Sequence, residues 1–203
     1  MSAWVDLAGE LLSNPRKWFE SPTSIQLDAF LRGYAEVDPN LLPVLNALGD
    51  ALRKQRGCRI AASAGAVVWA TEPDQLTGYA VLAKSFENCA QLAAPAEEAA
   101  IHSVTALLPT LASASSPVAA WQIREVRAFF RGAFRGLADQ GIDTAEDDKR
   151  MNEYDHWLRQ RFGLSGRWDR VIEVLDLGKG KSVPFFVRTF QTFLRERGEL
   201  IVG

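Results

Sequence analysis

Ala128-Phe129-Phe130-Arg131-Gly132 has a near twin earlier in the chain, Ala29-Phe30-Leu31-Arg32-Gly33. Three further pairs, one before these motifs and two after, keep the same order in both halves. Ser21-Pro22 answers Ser116-Pro117, and Leu52-Arg53-Lys54-Gln55-Arg56-Gly57 answers Leu158-Arg159-Gln160-Arg161-Phe162-Gly163. Lys84-Ser85-Phe86 answers Arg188-Thr189-Phe190. One match is chance, but an ordered series points to internal duplication. The expected fold is all-α: two copies of a roughly five-helix unit, over 1–94 and 95–203, packed as one domain.

Helical periodicity runs outward from both copies. Trp4, Leu7, Ala8, Leu11 and Leu12 make a first apolar face, which Asn14-Pro15 ends. Ser21-Pro22 reads as the start of a helix carrying Leu27, Phe30, Leu31 and Tyr34. Asp38-Pro39-Asn40 breaks it, and Leu41 to Leu52 forms a third stripe closed by Gly57. Ile60 to Ala70 is either a strand or a buried helix, its five alanines favouring helix. Pro73-Asp74 opens the next helix.

A second round begins at Pro95-Ala96-Glu97-Glu98 and crosses a linker ending at Ser116-Pro117. A long helix then runs to about Asp139, with Val126, Phe129, Phe130, Ala133, Phe134 and Leu137 inward. Thr144 with Asp147 resembles a capping box for a helix ending at Gly163. Trp168 to Leu175 suggests a short helix, and Ser182 reads as the cap of the last one.

The 203 residues carry a net charge of −2, so no strong field is implied, whereas general nucleic-acid binders are distinctly basic. The first residues lack the basic and apolar regions of a secretory signal. The most apolar run is too short for the roughly 20 residues a bilayer span needs. Cys58 and Cys89 have neither metal-like nor redox spacing and read as reduced, mostly buried thiols. A cytoplasmic protein is expected.

The chemistry-bearing residue types form no catalytic pattern. His102 and His156 have no second ligand at metal spacing, and Ser63 and Ser165 lie outside a nucleophile elbow. Gly178-Lys179-Gly180-Lys181-Ser182 lacks the spacing of a phosphate loop. No metal, cofactor or catalytic residue is expected.

Partner contact is the remaining possibility. Arg124, Arg127, Arg131 and Arg135 fall at steps of three and four on one helix face, opposite the phenylalanines. They form either a stripe for an acidic partner or RNA, or an ordinary solvated face, with ion pairs to the other half as an option. The second is the plainer reading. Glu146, Asp147, Asp148, Glu153 and Asp155 make an acidic patch suited to a basic partner surface. The first three also suit a helix N-terminus, so Glu153 and Asp155 carry more of the argument. The six tryptophans read as mostly core. Trp18 and Trp168, near expected loops, are the candidates for the surface, where such residues anchor protein contacts, although a tryptophan near a loop is more often a lid on the core. The partner-binding candidates are therefore Glu153, Asp155, Asp148, Arg124, Arg127, Arg131, Arg135 and Trp168.

The aromatic pattern also carries a resemblance. Asn14-Pro15-Arg16-Lys17-Trp18-Phe19, Ser21 and Phe30-Leu31-Arg32-Gly33-Tyr34 stand where a family of small helical bacterial proteins has three corresponding features. These are an Arg-Pro-Gly-Met-Tyr-Leu-Gly-like opening, a serine-led helix and a Phe-Leu-x-Gly-Tyr ending. Tyr154 through Phe162, Trp168, Asp176 and Phe185-Phe186 through Phe193 resemble its later half. The sequence departs from the pattern at Lys17-Trp18, which replaces Gly-Met, and in a longer middle. The family accompanies polymorphic toxin systems. The resemblance implies a cytoplasmic immunity protein whose partner is a cognate toxin, and it assigns no residue to a binding site. The alternative is a helical regulatory or adaptor module that binds nucleic acid or a small ligand through the arginine face.

Overall fold

The computed structural model describes residues 3–59, 62–91, 103–112, 121–176 and 181–199. Among them the fold is all-helical, with no strand. The α-helices are α1 Ala3–Ser13, α2 Pro15–Trp18, α3 Ser24–Val37, α4 Leu41–Gln55, α5 Ala64–Thr71, α6 Gln75–Ala90, α7 Leu108–Ala112, α8 Ile123–Asp139, α9 Ala145–Phe162, α10 Trp168–Asp176 and α11 Ser182–Glu196. A 3-10 turn, Val104–Leu107, leads into α7. The helix start expected at Pro95, the Ser116-Pro117 linker, His102, Ile60 and the Gly178-Lys179-Gly180 turn lie outside the described residues.

The chain divides into two compact units: residues 1–102 with 128–142, and residues 103–127 with 143–203. The division falls inside α8, where the sequence reading divides the chain at 94/95.

In the first unit, Leu7, Leu11, Leu27, Phe30, Leu31, Tyr34, Leu82 and Phe86 are buried, together with Phe129, Ala133 and Leu137 from α8. The twin motifs meet here. A Cβ added to Gly33 would collide with the backbone carbonyl of Phe129, and one added to Gly132 with that of Phe30. Each glycine thus lies against the residue three before the other, so the two helix backbones touch without side chains between them. Asp28 and Ser24, both buried, hold the start of α5. The Asp28 carboxylate accepts from Gly65 N, and Ser24 Oγ donates to the Gly65 carbonyl at 3.0 Å. The run left open between strand and helix is therefore helix from Ala64, with Ser63 Oγ accepting from Ala66 N as its cap.

The second unit is organised on Tyr154, which is fully buried. Its ring centroid lies 4.8 Å from Phe190, 5.6 Å from Phe193 and 5.8 Å from Phe186, all edge-on. Its hydroxyl is 2.7 Å from Thr189 Oγ1. The one Thr189 proton goes to the Phe185 and Phe186 carbonyls, so the tyrosine is the donor.

Several expected helix starts are corrected. Thr23, not Ser21, caps α3, its Oγ1 accepting from Gln26 N. Thr144 occupies the N-cap of α9 without a capping bond, and Asp143 accepts from Ala145 N instead. Asp147 turns away to Ser103 and Arg150. Ser182 is the first residue of α11, not its cap, and donates to Asp176 at 2.6 Å. The expected link Arg16 to Glu20 contains the short helix α2.

Candidate functional site

A groove of about 980 Å³ runs along the outer face of α9 beside the last turns of α11, within the second unit. It follows from the spacing of α9. Tyr154 and Leu158 point into the core, so Asp148, Asn152, His156 and Gln160, at steps of four, stand on an open line. Trp157 and Phe193 supply apolar surface beneath it.

Charge-assisted ties between the two helices fix one wall. Trp157 Nε1 donates to Glu196 at 2.7 Å, and Arg161 reaches the other oxygen of the same carboxylate at 2.9 Å. Arg197 pairs with Glu153 at 2.8 Å and also holds Glu199, which Arg150 reaches at 2.8 Å. Hydrogen bonds from Arg197, then Arg150, hold the Glu199 carboxyl below the usual carboxylate range. Arg161 lies 5.0 Å from the Trp157 ring centre and Arg197 5.4 Å from that of Phe193, both in cation–π range. Single exposed pairs of this kind contribute little, but linked ones hold the wall's geometry.

Of the sequence candidates, Asp148 and Glu153 line this groove. Asp155 does not. It is half-buried, pairs with Arg159 at 2.9 Å and leaves one buried oxygen without a hydrogen-bond partner. The arginine face is used within each unit. In the second unit, Arg124 pairs with Glu173 at 2.7 Å and Arg127 with buried Asp169 at 3.2 Å. In the first, Arg131 donates to the Trp18 carbonyl, and Arg135 reaches Glu10 at 3.0 Å and Asp139 at 2.8 Å. Hydrogen bonds from Lys17 and then Arg135 pull the Glu10 carboxyl below its ordinary value.

Trp168, a candidate for the surface, is buried at 7 % exposure, its ring 5.1 Å from Phe186. Trp18 is half-buried, and the tryptophan left exposed is Trp69. Asn152, His156, Trp157, Gln160, Glu196 and Arg197 line the groove without having been singled out for contact. The signal for the α9 members was the polar line at steps of four. Trp157 masked it, because it reads as one face with Tyr154 and Leu158.

A second depression, of about 760 Å³, lies by α2 and the start of α6 and includes exposed Leu76. Its Asp74 carboxylate is occupied as the cap of α6. Among the described residues no three His, Cys, Asp or Glu side chains are placed to hold a metal ion. Nor is any described helix long and apolar enough to cross a membrane. Cys58 and Cys89 form no disulfide and are half-buried, and burial raises the Cys89 thiol.

The α9–α11 groove offers hydrogen bonds and charge contacts over an aromatic floor, the equipment of a polypeptide contact. No family model, no curated protein and no solved structure matches the chain.

Proposed function

We propose that this protein is a cytoplasmic immunity protein, non-enzymatic, that binds a cognate bacterial toxin effector and neutralises it. The observation that carries the reading is the α9–α11 groove, an open charged and aromatic surface containing Glu153 and Asp148. The resemblance of the aromatic pattern to proteins of toxin systems supports it as well. So does the wealth of groups suited to protein contact, with an exposed histidine and amides beside a tryptophan.

The internal duplication belongs to the same proposal. Helices of 14, 15, 8 and 16 residues (α3 to α6) are answered by helices of 17, 18, 9 and 15 (α8 to α11). The reciprocal contact of Gly33 and Gly132 joins equivalent points of the two motifs. Nucleic-acid binding through the arginine face has less support, since Arg127, Arg131 and Arg135 already serve acceptors of the chain itself.

Co-expression with the product of the adjacent gene tests the proposal. The expected outcome is a toxic neighbour, growth restored by this protein and a complex that survives gel filtration. A harmless neighbour with no purifiable complex defeats the reading.

A further inference from the structure

We infer that the α9–α11 groove takes an extended segment of the partner polypeptide, gripped by its backbone and carrying a cationic side chain. The inference rests on the binding-protein reading and specifies what enters the site. The side chains of Asn152, His156 and Gln160 are exposed, line the groove and make no hydrogen bond to other described residues. They sit four residues apart, so along α9 they repeat about every 6 Å. An extended chain presents backbone groups to one side about every 6.6 Å, two residues at 3.3 Å each. Three side chains therefore stay in step with three successive backbone positions, within the reach of an amide's own torsions.

The chemistry of the line fits the same occupant. Asparagine and glutamine each offer an acceptor and a donor, and a neutral histidine offers one of each. That is the complement of a peptide's N–H and C=O. A helical partner hides those groups in its own hydrogen bonds and would leave the line unused. Alternate side chains of an extended segment point down, where Trp157 and Phe193 form the floor.

Charge sets the register. Glu153 and Glu196 are satisfied by Arg197 and Arg161. Asp148, at the α9 N-terminal end of the groove, is exposed and receives only a long bond from Thr144 at 3.4 Å. Exposed Lys149 lines the same end, so Asp148 is the carboxylate there that no described cation pairs with, and it is the group that would receive a lysine or arginine of the partner.

The test uses the full chain, the purified toxin and overlapping 12-residue peptides of that toxin. Affinities are measured by calorimetry, and thermal melts show that each variant is folded. The double variant Asn152→Ala/Gln160→Ala is expected to weaken toxin binding at least tenfold, and Asp148→Lys a further tenfold. One peptide containing lysine or arginine should bind, and N-methylation of its alternate amides should abolish that binding. A complex whose affinity the variants leave unchanged overturns the inference while the immunity reading stands. So does a helix-stapled peptide that binds better than the free one. No complex with the toxin at all overturns both.

Discussion

Gly33 and Gly132 occupy positions where even a methyl group meets backbone, which cannot rotate aside as a side chain can. Gly9, inside α1, faces nothing within 4 Å. The same substitution should therefore have opposite signs at the two kinds of site. Gly132→Ala is expected to lose at least the upper part of the 1–3 kcal/mol range typical of overpacking (about 3 kcal/mol or more), since no rotamer relieves the contact. Gly9→Ala is expected to gain about 0.5–1 kcal/mol from helix propensity alone. Urea unfolding followed by circular dichroism measures both. A tolerated Gly132→Ala would show that the helices are not in backbone contact. The sequence displayed these glycines as the last letters of a repeated motif. Their role depends on which helices cross, and helical spacing is silent on that.

At the scale of elements, Asp169 shows how a helix start can serve two purposes. It lies in the first turn of α10, is buried, and binds Arg167 at 2.6 Å and Arg127 of α8 at 3.2 Å. Burial alone would raise its pKa. The Arg167 hydrogen bonds and the charges of Arg127 and Arg167 outweigh burial and leave it below the ordinary value. A carboxyl depressed in the folded state stabilises fully above its unfolded pKa, near 3.9, and loses that contribution as pH falls through the lower folded value. Asp169→Asn should thus melt below the parent at pH 7, with the gap narrowing below about pH 4. A gap that stays constant from pH 7 to pH 3 would mean the pair contributes nothing. Elements such as α3, α4, α6 and α9 were legible because their apolar periodicity is strong and glycines mark their ends, as at Gly57 and Gly163. Their starts were less legible, because a cap depends on which oxygen reaches the amide. Thr23 took that role from Ser21, while Asp147 was drawn off by Ser103 and Arg150. The arginines of α8 were legible as a face but not in their partners. Their spacing gave the face correctly, but not that Asp169, Glu10 and the Trp18 carbonyl stood within reach.

For the whole molecule, the telling feature is that the two compact units share one helix. Residues 123–127 of α8 belong to the second unit and 128–139 to the first. The short part carries Arg124 and Arg127, whose partners Glu173 and Asp169 lie in α10. Five residues cannot remain helical alone, because nucleation outweighs the few bonds they could make. When the first unit melts, the short part frays and those ion pairs lose their frame. The two units should therefore unfold together. The tryptophans report on both: Trp4, Trp18 and Trp69 lie in the first, and Trp121, Trp157 and Trp168 in the second. With 5-fluorotryptophan incorporated, the fluorine resonances of all six should lose native intensity at one urea midpoint. Gly132→Ala, which touches only the first unit, should lower that midpoint for the second unit's tryptophans as well. Native resonances of Trp157 and Trp168 persisting after those of Trp4 and Trp18 have gone would show that the shared helix does not couple the units. A lone urea midpoint that Gly132→Ala moves for both sets would make α8 the element through which stability passes from one unit to the other.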